Sequence, residues 1–411
     1  VWCQGIQLNS QLSKYQQESR CTRTALWAFF LLGLALPVSP VLVNLSFVVL
    51  IACILIDYKV LPIRAMLREP GIWVPLGLYA LLAFSLLWTQ GGNPLDYLTK
   101  YRKLLLVVPF TLAFLIYSKA FVRISQGFLM GVGLSVLASF YVFISGDLIG
   151  HSQVGNATVL KKEITHNFFV AVAVIGLLFL AYEKTWNKSG WFLVAAAVMV
   201  FNLYVMVDGR TGQIALIPAV TVFFVFLFLY RPARLIATSV AGVAVLGIGT
   251  CVLLAQASYV QGLEELKQCY NAWGQVQSTQ EVCASSMGAR TTFWLTVIET
   301  VRVHPWGIGI GGFPEKVLGF YYNPHSDYLL YALQLGWLGL VIYLIWYVRA
   351  ARIVWQESRL RPLLMSLLVL YMVANLFNSF TLDFSEGGLF IVLMAFITSL
   401  GITDRSRRRS G

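Results

Sequence analysis

Twelve long apolar blocks, each nearly free of charge, follow one another along this chain and dictate what it can fold into. They lie at 24–39, 41–58, 72–90, 104–118, 126–145, 167–183, 190–207, 213–230, 235–256, 326–348, 362–380 and 388–402. A bilayer hydrocarbon core about 30 Å thick is crossed by roughly 20 apolar residues in a helix. No water is present there to satisfy backbone groups left outside regular structure. Blocks of this kind therefore predict membrane-spanning helices. Composition agrees: 58% of the 411 residues are hydrophobic and 12% are charged, against about 25% charged in soluble domains. That balance excludes a soluble enzyme, a nucleic-acid-binding domain and a disulfide-built secreted scaffold. The expected fold is an all-α polytopic membrane protein of about twelve transmembrane helices.

The basic residues test this count, because Lys and Arg are retained on the cytoplasmic side of a membrane. With the N-terminus inside and strict alternation, the inner segments hold 20 of the 30 basic and 6 of the 18 acidic residues. The outer segments hold the remaining 10 basic and 12 acidic residues. Every inner loop is basic, so both termini are expected in the cytoplasm. The net charge of +12 is then mostly a topological address, not a surface for nucleic acid. The first block, with basic residues ahead of it and small residues at 38–39, also has the form of a signal peptide. The immediate return of a second apolar run after Pro40 favours a hairpin of two spans.

Three regions follow: 1–256 with helices one to nine, 257–325 as a large helical outer loop, and 326–411 with helices ten to twelve and a basic cytoplasmic tail. A loop of that length is usually functional or carries its own structure. Within it, Phe293, Val297, Ile298 and Val301 recur at helical spacing, which predicts an amphipathic helix over 289–303 packed on the membrane domain. Gly307, Gly309, Gly311 and Gly312 break that helix. A glycine run can cradle phosphate, but with no strand before it a tight turn is the better reading. Cys269 and Cys283 are the pair placed where an oxidising compartment permits a disulfide; a bond and two free thiols both remain open. No spacing of Cys and His suggests a metal.

Ionisable residues are nearly absent from the interiors of the blocks, where a transport path would need them. They collect instead at the outer ends: Lys100, Arg102 and Lys103 before span four, Asp208 and Arg210 after span seven, Arg290 and Arg302 in the long loop, and His325 opening span ten. Cations on that face oppose the retention rule, and arginine suits phosphate because its planar fork of donors stays charged. His325 follows Asn323-Pro324. Its imidazole can take a proton near neutral pH or can serve as a hydrogen-bonding group at the helix start.

His325-Ser326, nine residues, then Gly336-Trp337-Leu338-Gly339 resembles the H-[NSQ]-x9-G-x-x-[GTY] signature of bacterial O-antigen ligases. The run Arg290…His304-Pro305…Gly307-Ile308-Gly309…Gly312-Phe313…His325-Ser326 resembles the wider superfamily of O-antigen ligases and polymerases. Arg210 with Ile214 is close to the R-x3-L pattern, with Ile in place of Leu. His166-Asn167 begins like the signature but meets Leu177 where it needs Gly.

The resemblance implies a glycosyltransferase of lipopolysaccharide biosynthesis in the bacterial inner membrane. Its donor would be an undecaprenyl-diphosphate-linked polysaccharide and its acceptor lipid A–core, joined at the periplasmic face, where the long loop would lie. His325 would be the general base, Arg290 and Arg210 would stabilise the diphosphate, and Arg102 and Lys103 would be secondary diphosphate binders. Metal-dependent lipid-linked glycosyltransferases usually place carboxylates in the first outer loop. Here that loop is Pro37–Pro40 and holds none, and no D-x-D occurs, so no metal or other cofactor is expected; a single in-line displacement would invert the anomeric centre. Outer aromatics such as Trp88, Tyr97, Tyr270, Trp273, Trp306 and Tyr321 either stack on sugars or form the interfacial belt; the belt is the better reading. An O-antigen polymerase and a periplasmic protein O-oligosaccharyltransferase share the motifs. A secondary transporter would show internal repeats and broken helices at midplane, and the sequence carries no such repeat.

Overall fold

The computed structural model describes residues 21–57, 62–89, 93–154, 156–183, 186–230, 257–272, 286–312, 323–357 and 359–410. Among these the regular structure is entirely helical. The amino-terminal part runs α1 (Thr22–Ala35), α2 (Pro40–Ile56), α3 (Ile63–Leu67), α4 (Pro70–Phe84), α5 (Pro94–Tyr101), α6 (Val107–Ile116) and α7 (Ala120–Ser145). Then come α8 (Glu163–Glu183), α9 (Trp186–Phe201), α10 (Arg210–Tyr230), α11 (Ala257–Ala272) and α12 (Ser286–Val303). The chain closes with α13 (Asp327–Gln356), α14 (Arg361–Phe377) and α15 (Phe384–Ser410). Prolines open α2, α4, α5 and α14 in their first turns, where a missing N–H costs nothing. Gly146, at φ 76°, stops α7 in the left-handed conformation.

Among the described residues, six helical stretches are long and apolar enough to cross a membrane: Pro70–Trp88, Ala120–Ser145, Glu163–Glu183, Arg210–Leu229, Asp327–Gln356 and Phe384–Arg405. They coincide with expected spans three, five, six, eight, ten and twelve. Four shorter apolar helices, Thr22–Ala35, Pro40–Ile56, Gly190–Met206 and Arg361–Phe377, coincide with spans one, two, seven and eleven. Expected span four is the ten-residue α6, reached through the 3-10 segment Arg102–Leu106. Expected span nine lies outside the described residues.

Segments expected on one face meet one another. At the end expected inside, Glu69, 1% exposed, pairs with Arg349 at 2.6 Å and Arg405 at 3.4 Å, and Glu183 pairs with Arg359 at 2.6 Å. At the opposite end, Lys161 Nζ donates to Ser385 Oγ at 2.9 Å, and Thr89 Oγ1 donates to the Ile310 carbonyl at 3.4 Å. Two basic side chains thus close one end of the bundle through a buried carboxylate, while the other end is joined by neutral or single-charge hydrogen bonds.

The helix expected over 289–303 runs from Ser286 to Val303. Phe293, Val297 and Val301 are buried with Ile308, Ala332 and Leu333 in a core shared with α13. Ile298 was expected on that face but is 49% exposed. A stripe at four-residue spacing turns about 40° per step, and position 298 lies about 100° round from Val297. Cys269 is buried and disulfide-bonded to a cysteine outside the described residues, while Cys21 and Cys53 are free.

Candidate functional site

The site is built on a break in a helix. α13 is interrupted at Gly336, whose φ of 67° and ψ of −158° belong to a region open essentially to glycine alone. The break frees carbonyls that a continuous helix would use. The Leu333 carbonyl accepts from Ile308 N–H at 2.9 Å and the Gln334 carbonyl from Gly309 N–H at 3.1 Å. Trp337 N–H in turn donates to the Pro305 carbonyl at 3.2 Å. A side chain at Gly336 would drive into that Pro305 carbonyl. The glycine run is therefore a turn, as expected: it fits into the broken helix, and its Ile308 and Gly309 amides are engaged there.

This docking fixes where α12 ends and so where Arg290 stands. Arg290 is half-buried on α12, beside buried Thr291 and Thr292. Burial first, and then the charge of Arg210, lower its pKa. Burial and then the charge of Arg290 lower the His325 pKa below its ordinary 6.5. Arg290 thus lies within electrostatic reach of both Arg210 and His325, although 80 residues separate it from the first and 35 from the second. The Phe293 ring lies 6.2 Å from the imidazole.

His325 has a φ of 50°, the one positive value at a non-glycine among the described residues. Such a backbone persists only where its surroundings hold it. Asn323 Oδ1 accepts the His325 N–H at 2.9 Å and the Ser379 hydroxyl at 2.7 Å. Asp327, fully buried, accepts from Thr381 N–H at 3.1 Å, Thr381 O–H at 2.5 Å and Tyr343 O–H at 3.2 Å. The loop between α14 and α15 therefore grips His325 from both sides. That loop also reaches Arg210: Asn378 Nδ2 donates to Thr211 Oγ1 at 2.5 Å.

Arg210 opens α10 after a π-helical turn, Asn202–Met206. Carbonyls of that turn and of the residues after it are collected by Asn167, whose Nδ2 donates to Leu203, Val207 and Gly209, and by Gln213, which donates to Leu203 and Val207. Buried His166 sits between Ser135 Oγ at 3.0 Å and Asn202 Oδ1 at 2.8 Å. His166-Asn167, which fails the signature, thus supports the turn that presents Arg210. Asp208 is a loose, exposed partner for Arg210 at 3.7 Å.

The two secondary cations diverge. Arg102 is exposed on the segment before α6. Lys103 is buried, and its ammonium donates to the Leu382 and Asp383 carbonyls at 3.0 and 2.5 Å. It holds the loop that grips His325. Sequence reading missed this loop and the role of Asp327. The signal was the polar run Asn378-Ser379 with Thr381 between two apolar helices, next to an acid opening span ten.

Fold and site together define a helical membrane protein with two guanidinium groups and an imidazole gathered at one end of its bundle. Residues 195–344 match a family model described as O-antigen ligase, and it is over this segment that the chain is similar to that family. The match covers just over a third of the chain and includes Arg210, Arg290, His325 and Gly336 to Gly339, while Arg102 and Lys103 fall outside it. No curated protein matches the chain.

Proposed function

We propose that the protein is an O-antigen ligase that moves an undecaprenyl-diphosphate-linked polysaccharide onto lipid A–core at the periplasmic face of the inner membrane. The observation that carries the reading is the gathering of Arg210, Arg290 and His325 at one end of the bundle. Like charges brought together in a half-buried site repel one another, and a diphosphate between the guanidiniums offsets that cost. Twelve spans with both termini cytoplasmic would place this end in the periplasm.

His325 Nε2 or Nδ1 takes the proton of an acceptor sugar hydroxyl, an effect worth roughly 10²–10⁴ in rate. The hydroxyl oxygen attacks the anomeric carbon as the bond from that carbon to the diphosphate oxygen breaks, with inversion. The departing undecaprenyl diphosphate carries away the electron pair, and Arg210 and Arg290 stabilise its charge. With two fixed cations at the leaving group, the reaction is expected to run without a metal. Lowering of the imidazole pKa below 6.5 by burial and Arg290 keeps His325 neutral, and so able to accept, at pH 7.

The test is transfer in vitro, with purified lipid-linked glycan, lipid A–core and a chelator. Glycosylated lipid A–core is expected. Lengthened lipid-linked glycan as sole product would reassign the protein as a polymerase. Glycan on protein acceptors alone would make it an oligosaccharyltransferase.

A further inference from the structure

A cavity lies in the half of the bundle away from that site. It is about 460 Å³ in volume and opens between α7, α8, α9, α14 and α15, with Phe121, Phe128, Gly176, Phe179, Leu367 and Val392 in its wall. Its volume falls in the range of roughly 300–1,000 Å³ typical of ligand pockets. The wall is almost wholly apolar. α8 begins beside the candidate site and Gly176 lies eleven residues beyond Thr165, so the cavity is displaced by about 16 Å along that helix.

Two observations bear on what fills it. Gly176 stands in the middle of α8, where alanine is the better helix former. A Cβ added there would meet only Leu129 Cδ2, at an ordinary 3.7 Å, among described atoms within 4 Å. Packing between helices therefore does not require this glycine, and the space it leaves open belongs to the cavity. At the rim the charge is positive. Gln126 lines the cavity and accepts from exposed Arg123 Nη1 at 3.2 Å, with exposed Lys119 one turn earlier at the start of α7. An apolar slot with cations at its mouth is complementary to an aliphatic tail under an anionic headgroup.

We infer that this cavity binds one acyl chain of an anionic membrane phospholipid, with Arg123 and Lys119 taking the headgroup phosphate. The site belongs to the leaflet opposite the Arg210–Arg290–His325 end and goes beyond the transfer reaction. The diphosphate end of a donor held at those arginines is a helix-half away. The inference needs neither the identity of the donor nor its chemistry.

The experiment uses the full chain in proteoliposomes with phosphatidylglycerol that carries a photoreactive diazirine in mid-chain, followed by peptide mapping. Crosslinks are expected on Phe121–Leu129 and Val172–Leu180 at roughly five-fold or more the density on α2, whose Val41, Val48 and Leu55 face outward. Gly176→Phe should lower labelling of both segments by about five-fold or more while α2 labelling stays unchanged. Gly176→Leu serves the same purpose if the larger side chain disturbs the size-exclusion profile. Arg123→Gln should lower the preference for phosphatidylglycerol over phosphatidylcholine. Labelling equal to that of α2, or labelling unchanged by both Gly176 variants, overturns the site. Competition by undecaprenyl phosphate but not by unlabelled phospholipid overturns the assignment to a phospholipid.

Discussion

Replacing Gly336 by alanine tests whether the helix break organises the site. At φ 67° and ψ −158° a Cβ costs about 1–3 kcal/mol in backbone strain alone. The new methyl would also occupy the place of the Pro305 carbonyl, so the turn 305–312 must move away. Three backbone hydrogen bonds go with it, from Ile308, Gly309 and Trp337, each worth about 0.5–1.5 kcal/mol net. The local penalty is therefore about 2.5–7.5 kcal/mol, and about 2.5 kcal/mol already corresponds to more than a fifty-fold change in an opening equilibrium. Hydrogen exchange should show those three amides losing roughly that much protection, and transfer should fall with them because α12 no longer holds Arg290. The control is Gly133→Ala in α7, where a Cβ meets nothing within 4 Å and stability should rise by up to about 1 kcal/mol. Wild-type exchange and wild-type transfer in Gly336→Ala would refute the argument.

His325→Ala and Arg290→Ala should each abolish transfer while the melting profile in detergent stays near wild type; full activity in either removes that residue from the mechanism. Because folding lowers the His325 pKa from 6.5, the stability linked to its neutral form is complete above pH 6.5 and is lost as pH falls through the folded-state pKa. The acid limb of kcat/KM should lie below 6.5 for the same reason. Arg290→Gln, in whatever activity it keeps, should shift that limb upward, and a downward shift would contradict the arrangement. Asp327→Ala leaves Thr381 N–H, Thr381 O–H and Tyr343 O–H without their buried acceptor, at about 1–3 kcal/mol each. Thermal unfolding should show a loss of at least about 3 kcal/mol, and a loss under 1 kcal/mol would mean the loop between α14 and α15 is not gripped there. Glu69→Gln at the other end should cost roughly 2–3 kcal/mol, the low side of a buried pair because Arg349 is partly exposed, with transfer per folded molecule unchanged.

The apolar blocks made the long helices legible, since length and hydropathy are properties of the local chain. The blocks at 126–145, 167–183 and 388–402 are the cores of α7, α8 and α15, each of which runs further at one end or both, through polar turns that pattern alone does not assign. Arg210 and Arg290 were legible as cations, and His325 as a titratable group, at the ends read as outer, but their convergence was not. It depends on Asn378 meeting Thr211, Ser379 meeting Asn323 and Thr381 meeting Asp327, across 54 to 167 residues of sequence. Gly336 shows why. In the sequence it is one letter of a signature, ten residues beyond Ser326, and nothing local says whether it is a contact glycine or a break. Its backbone conformation is enforced by the Pro305 carbonyl, which is brought there by α12, which is in turn fixed by the packing of Phe293, Val297 and Val301 on α13. The break is thus both cause and consequence of the docked turn, and such mutual dependence has no trace in hydrophobic period or spacing. Asp327 was hidden for a related reason. An acid at the start of an apolar helix reads as the water-facing boundary of a span, whereas here three donors from α13 and the loop before α15 satisfy it in full burial. A carboxylate so placed ties the loop before α15 to the start of α13, two residues from His325.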